Sequence, residues 1–177
     1  PVIASPPSLG SRPRSTTNVG PMQGSPEVVE FLNEALTAEL TAINQYFAAA
    51  KISENWGYGK LAAKWREESM EEMHDAEKLI DRILLLDGHP NLQRLGTVMI
   101  GETVLEQLEL DRTLEANAVD MYRRGVLVAT EHGDPGTREM LEHLVVGEED
   151  HLDWIDTQLA VISDIGIERY LQSHLDT

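Results

Sequence analysis

The 177-residue chain contains no cysteine. Disulfides, thiolate zinc sites and cysteine nucleophiles are therefore excluded. Basic residues are scarce: 14 Lys and Arg stand against 31 Asp and Glu, a formal net charge of -17. A chain of that sign repels phosphate backbones, so no nucleic acid partner is expected. It attracts cations, although a solvated acidic surface is the plainer reading of charge alone. No apolar run approaches the ~18 residues that a membrane span needs, so no membrane partner is expected either. No leader with an apolar core of roughly 7–15 residues is visible. A cytoplasmic location is the expectation. What the chain does have is length enough for one domain with a proper core.

Proline and glycine are unevenly spread. Residues 1–24, "PVIASPPSLGSRPRSTTNVGPMQG", hold five of the eight prolines and only two charges, Arg12 and Arg14. Such a segment cannot bury enough apolar surface to order itself, and it reads as an arm or linker. "MQGSPEVVEFLNEAL", from Met22, has the look of a natural start, so the part before it is expected to be an extension. Residues 25–177 read as one helical domain. Ser25, Pro26, Glu27 and Glu30 form a helix start, and the first helix is expected to run to about Asn55. After the break "WGYGK" (56–60) a second helix covers about 60–87 and stops at Gly88, with Pro90 beyond. Residues 88–101 have no clear period and make a long connection. A third helix runs over about 102–131. Asp134 and Pro135 open a fourth that reaches about 164, and a short fifth covers about 167–175. Two short links and one long one suit an all-α four-helix bundle with one crossover and a short C-terminal helix.

Acidic residues interrupt the apolar stripe of every long helix. The first stripe runs Leu32, Ala35, Ile43, Tyr46 and Ala50, with Glu39 inside it. The third runs Leu108, Ala118, Val119, Tyr122 and Val126, with Glu115 inside it. The fourth runs Leu141, Leu144, Val145, Leu152 and Ile155 and includes Glu148 and His151. The second helix poses a register question, because in "ESMEEMHDAEKLIDRILLLDG" (68–88) both Glu71/His74 and Glu72/Asp75 have a spacing of three. Counting back from Leu79, Ile83 and Leu86 reaches Glu72 and Asp75. The same steps from Glu71 and His74 reach Lys78, Asp81 and Arg82, which are solvent-facing types. Glu72 and Asp75 are therefore expected to point inward, and Glu71 and His74 outward. A single buried carboxylate is commonly a stray charge; one on each of four helices, with no Lys or Arg on the stripes, would cost many kcal/mol uncompensated. Bound cations are the simplest compensation, and oxygen-rich sites with an imidazole suit iron or manganese. The competing view is a plain structural bundle with protonated carboxylates. His89, His132, His143 and His174 read as surface or capping residues. Trp56, Trp65 and Trp154 read as packing and interface residues.

One Glu from each of two helices and a Glu-x-x-His from each of the other two is the ligand pattern of ferritin-like di-iron bundles. More closely, residues 22–177 resemble bacterioferritin along their length, through "LTAELTAINQYF" (36–47), "NWGYGKL" (55–61), "HPNLQRLG" (89–96) and "GEEDHLDWIDTQL" (147–159). The resemblance implies a shell of 24 subunits that oxidises Fe(II) with O2 or peroxide and stores Fe(III) mineral. It implies that Glu39 is a terminal ligand of the first iron of a di-iron centre. Glu115 and His151 would be terminal on the second, Glu72 and Glu148 would bridge the two, and Tyr46 would lie beside them. It also implies that Met73 is the axial ligand of a haem b shared by two subunits, and that a ferredoxin-type protein is the reductant. A Met on a helix face that packs at a dimer seam is the plainer reading of Met73.

Asp75 departs from that family, which has His there as the first iron's imidazole ligand. His74 cannot replace it, because a helix turns about 100° per residue. A carboxylate oxygen reaches roughly where the near ring nitrogen of a His lies. Two outcomes stay open: Asp75 ligates, or the centre holds one iron well and the other poorly. The second outcome goes with an alternative role, a haem-carrying subunit that co-assembles with an active sister subunit.

Overall fold

The computed structural model describes residues 23–175. The expected N-terminal arm, apart from its last two residues, lies outside these. Five helices follow one another: α1 (Pro26–Trp56), α2 (Gly59–Leu85), α3 (Val104–Glu131), α4 (Pro135–Ile165) and α5 (Ile167–Gln172). α1 packs along α2, α3 along α4, and α1 against α3, while α5 folds back on α4. The result is the four-helix bundle with a short C-terminal helix that the pattern of stripes predicts.

The helix ends follow from local chemistry. Ser25 caps α1 by accepting the Glu27 amide at 3.2 Å, with Pro26 in the first turn. Thr103 caps α3 from the Glu106 amide at 3.1 Å, and Asp134 caps α4 from Thr137 at 3.0 Å. α2 stops at Leu85, two residues before the expected end. Asp87, not Gly88, takes the left-handed conformation, at φ 60°. The Asp87 and Gly88 amides then reach back to the Leu84 and Ile83 carbonyls at 3.1 and 2.9 Å. α5 is three residues shorter than expected, because Lys60 and the Ser173 hydroxyl close its end on the Ser173 and Tyr170 carbonyls at 2.8 and 2.7 Å.

The long connection runs beside α1 and in the same direction. Asn91, Gly96 and Met99 donate their amides to the side chains of Asn33, Thr41 and Gln45 at 2.7, 2.8 and 3.0 Å. α1 thus supplies the hydrogen bonds that an unpaired segment would otherwise lack. The crossover makes α3 run parallel to α2 and antiparallel to α1. Close approach of α1 and α3 depends on Gly125, where a Cβ would fall 2.1 Å from the Phe31 ring.

Two apolar clusters fill the bundle. One contains Leu32, Leu36, Leu79, Ile83, Leu141 and Leu144. The other contains Leu61, Trp65, Leu108, Ile155, Ile162 and Tyr170. Glu39, Glu72, Glu115 and Glu148 lie between them, each 1–2% exposed. The fold therefore places four carboxylates in one layer, sealed above and below by hydrocarbon.

Candidate metal centre

Within that layer Glu72, Glu115, Glu148 and His151 offer ligand atoms that all lie within 4.8 Å of one another. His151 Nδ1 is 3.5 Å from Glu148, 3.6 Å from Glu72 and 3.9 Å from Glu115. Glu39 approaches from α1, close enough for the charges of Glu72 and Glu148 to act on its carboxyl. Five atoms here are buried without any hydrogen bond: Glu39 Oε2, both oxygens of Glu72, Glu148 Oε2 and His151 Nδ1. Buried polar atoms are nearly always satisfied, so four orphaned carboxylate oxygens converging beside an unpartnered ring nitrogen fit a cation.

The electrostatics point the same way. Burial, followed by repulsion from Glu72 and Glu148, pushes the Glu39 carboxyl well above its ordinary range. Burial and the charges of Glu148 and Glu72 do the same to Glu115. Burial also opposes charge on His151, but the carboxylates of Glu148, Glu68 and Glu72 around the ring outweigh it and push the imidazole far above its ordinary range. Protons thus stand in for cations in this layer, and a metal ion that binds has to displace them. Two buried tyrosines complete the walls. Tyr46 donates its hydroxyl to Glu115 and Tyr122 donates to Glu39. Each leaves its carboxylate one free oxygen directed at the centre and fixes its rotamer.

Sequence reasoning places Glu39, Glu72, Glu115, Glu148 and His151 inward, and the structure brings them together. Glu71 and His74 are exposed, as the register count requires. Asp75 is different. It sits at the edge of the stripe with its side chain 15% exposed, ion-paired to Lys78, and takes no part in the cluster. A step of four from Glu72 reaches Ala76, which takes the buried position, and at the step of three Lys78 holds the Asp75 carboxylate at the rim. Met73 is 40% exposed on the outer face of α2.

Glu68 escapes the sequence reading although it is only 3% exposed. Its Oε2 lies 3.0 Å from His151 Nε2, and Lys64 pairs with its other oxygen. Glu71, from the rim, reaches the same ring nitrogen at 2.9 Å. A carboxylate behind an imidazole fixes the ring and leaves Nδ1 to face the centre. Burial would raise the Glu68 carboxyl, but His151 and Lys64 overcome it and hold it below its ordinary range. The signal was available: Leu79, Ala76, Glu72, Glu68, Trp65 and Leu61 continue one stripe at steps of three and four.

A second buried acid, Asp111, is one turn before Glu115. It is fully buried and accepts from Gln45 and Gln107 at Oδ1 and from the Trp65 indole at Oδ2, each at 2.8 Å. The two glutamines cannot flip, since their oxygens accept the Met99 and Gly101 amides at 3.0 and 2.8 Å. Burial, against those three hydrogen bonds, raises the Asp111 carboxyl to about 6.

The ferritin-like domain family matches residues 29–165. The chain is 47% identical to the bacterioferritin of Mycobacterium leprae over 149 residues, which cover 84% of this chain and 94% of that protein. It is 49% identical to that of Streptomyces coelicolor over 155 residues, 88% of this chain and 93% of the relative. With that of Brucella melitensis it shares 44% over 151 residues, 85% of this chain and 94% of the relative.

Proposed function

The chain belongs to the bacterioferritin family, and from that membership we propose that it stores iron in a shell of 24 copies, oxidising Fe(II) at the carboxylate layer and passing Fe(III) inward. The observation that carries this reading is the set of orphaned carboxylate oxygens on Glu39, Glu72 and Glu148, with the unpartnered His151 Nδ1 beside them. Iron is the substrate. Each Fe(II) gives up one electron; two of them reduce one O2 to hydrogen peroxide, or one hydrogen peroxide to two waters, with the protons drawn from solvent.

The residues do three things. Glu72 and Glu148, with both or one oxygen free, are the pair able to span two cations, while Glu39 and Glu115 hold the outer sides. Four ionised carboxylates balance the charge of two Fe(II) ions, and Lys78 cancels the additional charge that Asp75 would bring. Tyr46 and Tyr122 keep the outer carboxylates from swinging as charge builds up. The apolar clusters above and below exclude water, which strengthens every one of these interactions. Aerobic Fe(II) titration tests the reading: ferric absorbance should grow at least tenfold faster with the parent than with Glu115→Gln/Glu148→Gln. Equal rates would refute it, and native mass measurement gives the assembly. The cytoplasm, as the compartment holding Fe(II), is the proposed location; no helix among the described residues is long and apolar enough to cross a membrane.

Haem b is the second cofactor of the proposal, shared by two copies through Met73. Arg66 stacks over Phe47 at 5.1 Å, and Met70 and Met73 follow Arg66 on the same outward face of α2. Phe47, Met70 and Met73 are 46, 46 and 40% exposed, an apolar surface suited to a flat apolar ring between two copies. Met73→Leu should abolish the Soret band and leave the shell and Fe(II) oxidation intact; full haem retention would place the ligand elsewhere. A ferredoxin-type reductant belongs to the same proposal. The Asp75–Lys78 pair favours a second reading, a haem-carrying subunit whose first iron position is degenerate and which co-assembles with an active sister subunit.

A further inference from the structure

A cavity of about 420 Å³ opens between α1 and α3 and ends on the carboxylate layer. Its floor is Glu39, Glu72, Glu115 and Glu148, all buried, and small side chains such as Ala38, Ala42 and Ala118 keep it open. Its rim carries three charges. Arg124 on α3 reaches across to Glu34 on α1 with its two terminal guanidinium nitrogens, at 2.8 and 3.3 Å. Asp120 stands one turn before Arg124, with Arg123 3.8 Å from its carboxylate.

We propose that the Glu34–Arg124 pair is a gate that sets the rate at which divalent cations pass from solvent through this cleft to the centre. The proposal rests on the metal-centre reading above and adds to it the residues that govern access. Three observations carry it. The pair bridges the two helices whose separation forms the cleft, so while it is closed the guanidinium stands on the way in. It is an exposed pair, with side chains 55 and 52% accessible, and such pairs are held weakly enough to open often. In the same conformation the guanidinium carbon lies 5.8 Å from the Phe31 ring, a contact that stays with Arg124 when an incoming cation engages Glu34. A dication that arrives at the rim competes with Arg124 for the Glu34 carboxylate. Once it has displaced the arginine, it meets Asp120 at the rim and four carboxylates below, with no fixed cation among the cavity-lining residues other than Arg124.

The full-length apo-protein is mixed with Co(II) in stopped flow, and uptake is read from its visible absorption, at low and at high ionic strength. Arg124→Gln should load about three- to tenfold faster than the parent at low salt, and Glu34→Gln slower by a similar factor. Both differences should shrink at roughly 1 M salt, where the Debye length is about 3 Å. The final Co(II) content should be the same in all three, because neither residue is a ligand. Arg124→Gln within a factor of two of the parent, or Glu34→Gln no slower than the parent, overturns the gate while leaving the centre in place. No Co(II) bands in any of the three proteins overturns the metal-centre reading, and the gate with it.

Discussion

The two halves of the carboxylate layer start from the same spacing and end differently. On α4, Glu148 is followed three residues later by His151; on α2, Glu72 is followed three residues later by Asp75. His151 turns into the centre because Glu68 and Glu71 hold its far nitrogen. Asp75 turns away because Lys78, one turn on, holds it at the rim. The support behind the halves differs too. The Glu115 half rests on a polar network, since Asp111 lies one turn before Glu115 and Gln45 adjoins Tyr46. The Glu39 half has Tyr122 alone, set among the apolar side chains of the first cluster. Position on a helix brings a side chain to the layer; what stands behind it decides which way it faces.

Removing the better-supported half should have the largest effect. His151→Ala takes away the only nitrogen donor in the cluster and should lower affinity for Co(II) more than roughly a hundredfold. Isothermal titration measures it, and unchanged affinity would mean that the metal sits elsewhere.

The polar network behind that half gives a pH-dependent comparison. Asp111→Asn puts an amide N–H against donors that cannot turn, and should destabilise the chain by about 1 kcal/mol at pH 7.5. Asp111 has a folded-state value near 6, raised from 3.8. A raised acid binds its proton more tightly folded than unfolded, so its contribution is fully present below 3.8 and lost as pH rises through about 6. The parent therefore gains on the variant as pH falls. Between pH 7.5 and 4.5 the gap should widen by about 2 kcal/mol. Urea midpoints of the two apo-proteins at both values check the sign, and a gap that narrows would contradict it.

Glu68→Gln tests whether the support behind His151 matters in itself. The amide keeps the shape but loses the charge that holds the ring, and should weaken metal binding by roughly 10- to 100-fold. Packing should survive, so unchanged thermal stability together with lost affinity separates positioning of His151 from a fold defect.

Much of this was legible in the sequence. Helical periodicity located four carboxylates and His151, because burial follows from which face a residue shares with Leu and Ile. Glu68 was missed for a simple reason: the α2 stripe was counted back from Leu79 only as far as Glu72. Asp75 was placed inward because a count in steps of three and four admits both 75 and 76, and only packing chooses between them. The path of the crossover was not legible at all. Its amides are satisfied by Asn33, Thr41 and Gln45, side chains more than fifty residues away in the chain. The hydroxyl bonds of Tyr46 and Tyr122 are also partnerships between helices, which periodicity within one helix does not report.

The smallest expected effect comes from making the two halves alike. Asp75→His gives α2 the same Glu-x-x-His spacing that brings His151 into the centre from α4. An imidazole is longer than the Asp carboxylate and has no charge to be held by Lys78, so nothing keeps it at the rim. With Asp75 neutralised by Lys78, the parent already balances four carboxylates against two Fe(II) ions; the substitution removes one negative charge and leaves Lys78, a half-exposed cation, to solvent. What it adds is a nitrogen donor beside Glu39 and Glu72, a ligand type suited to iron. The second metal ion per chain should then bind more tightly, by about three- to tenfold, and sustained Fe(II) oxidation should rise by a similar factor, without change in assembly. Titration of Co(II) with native mass measurement reads both. If the second ion binds no more tightly in Asp75→His, the weakness of the Glu39 half lies in its apolar surroundings and not in the missing imidazole.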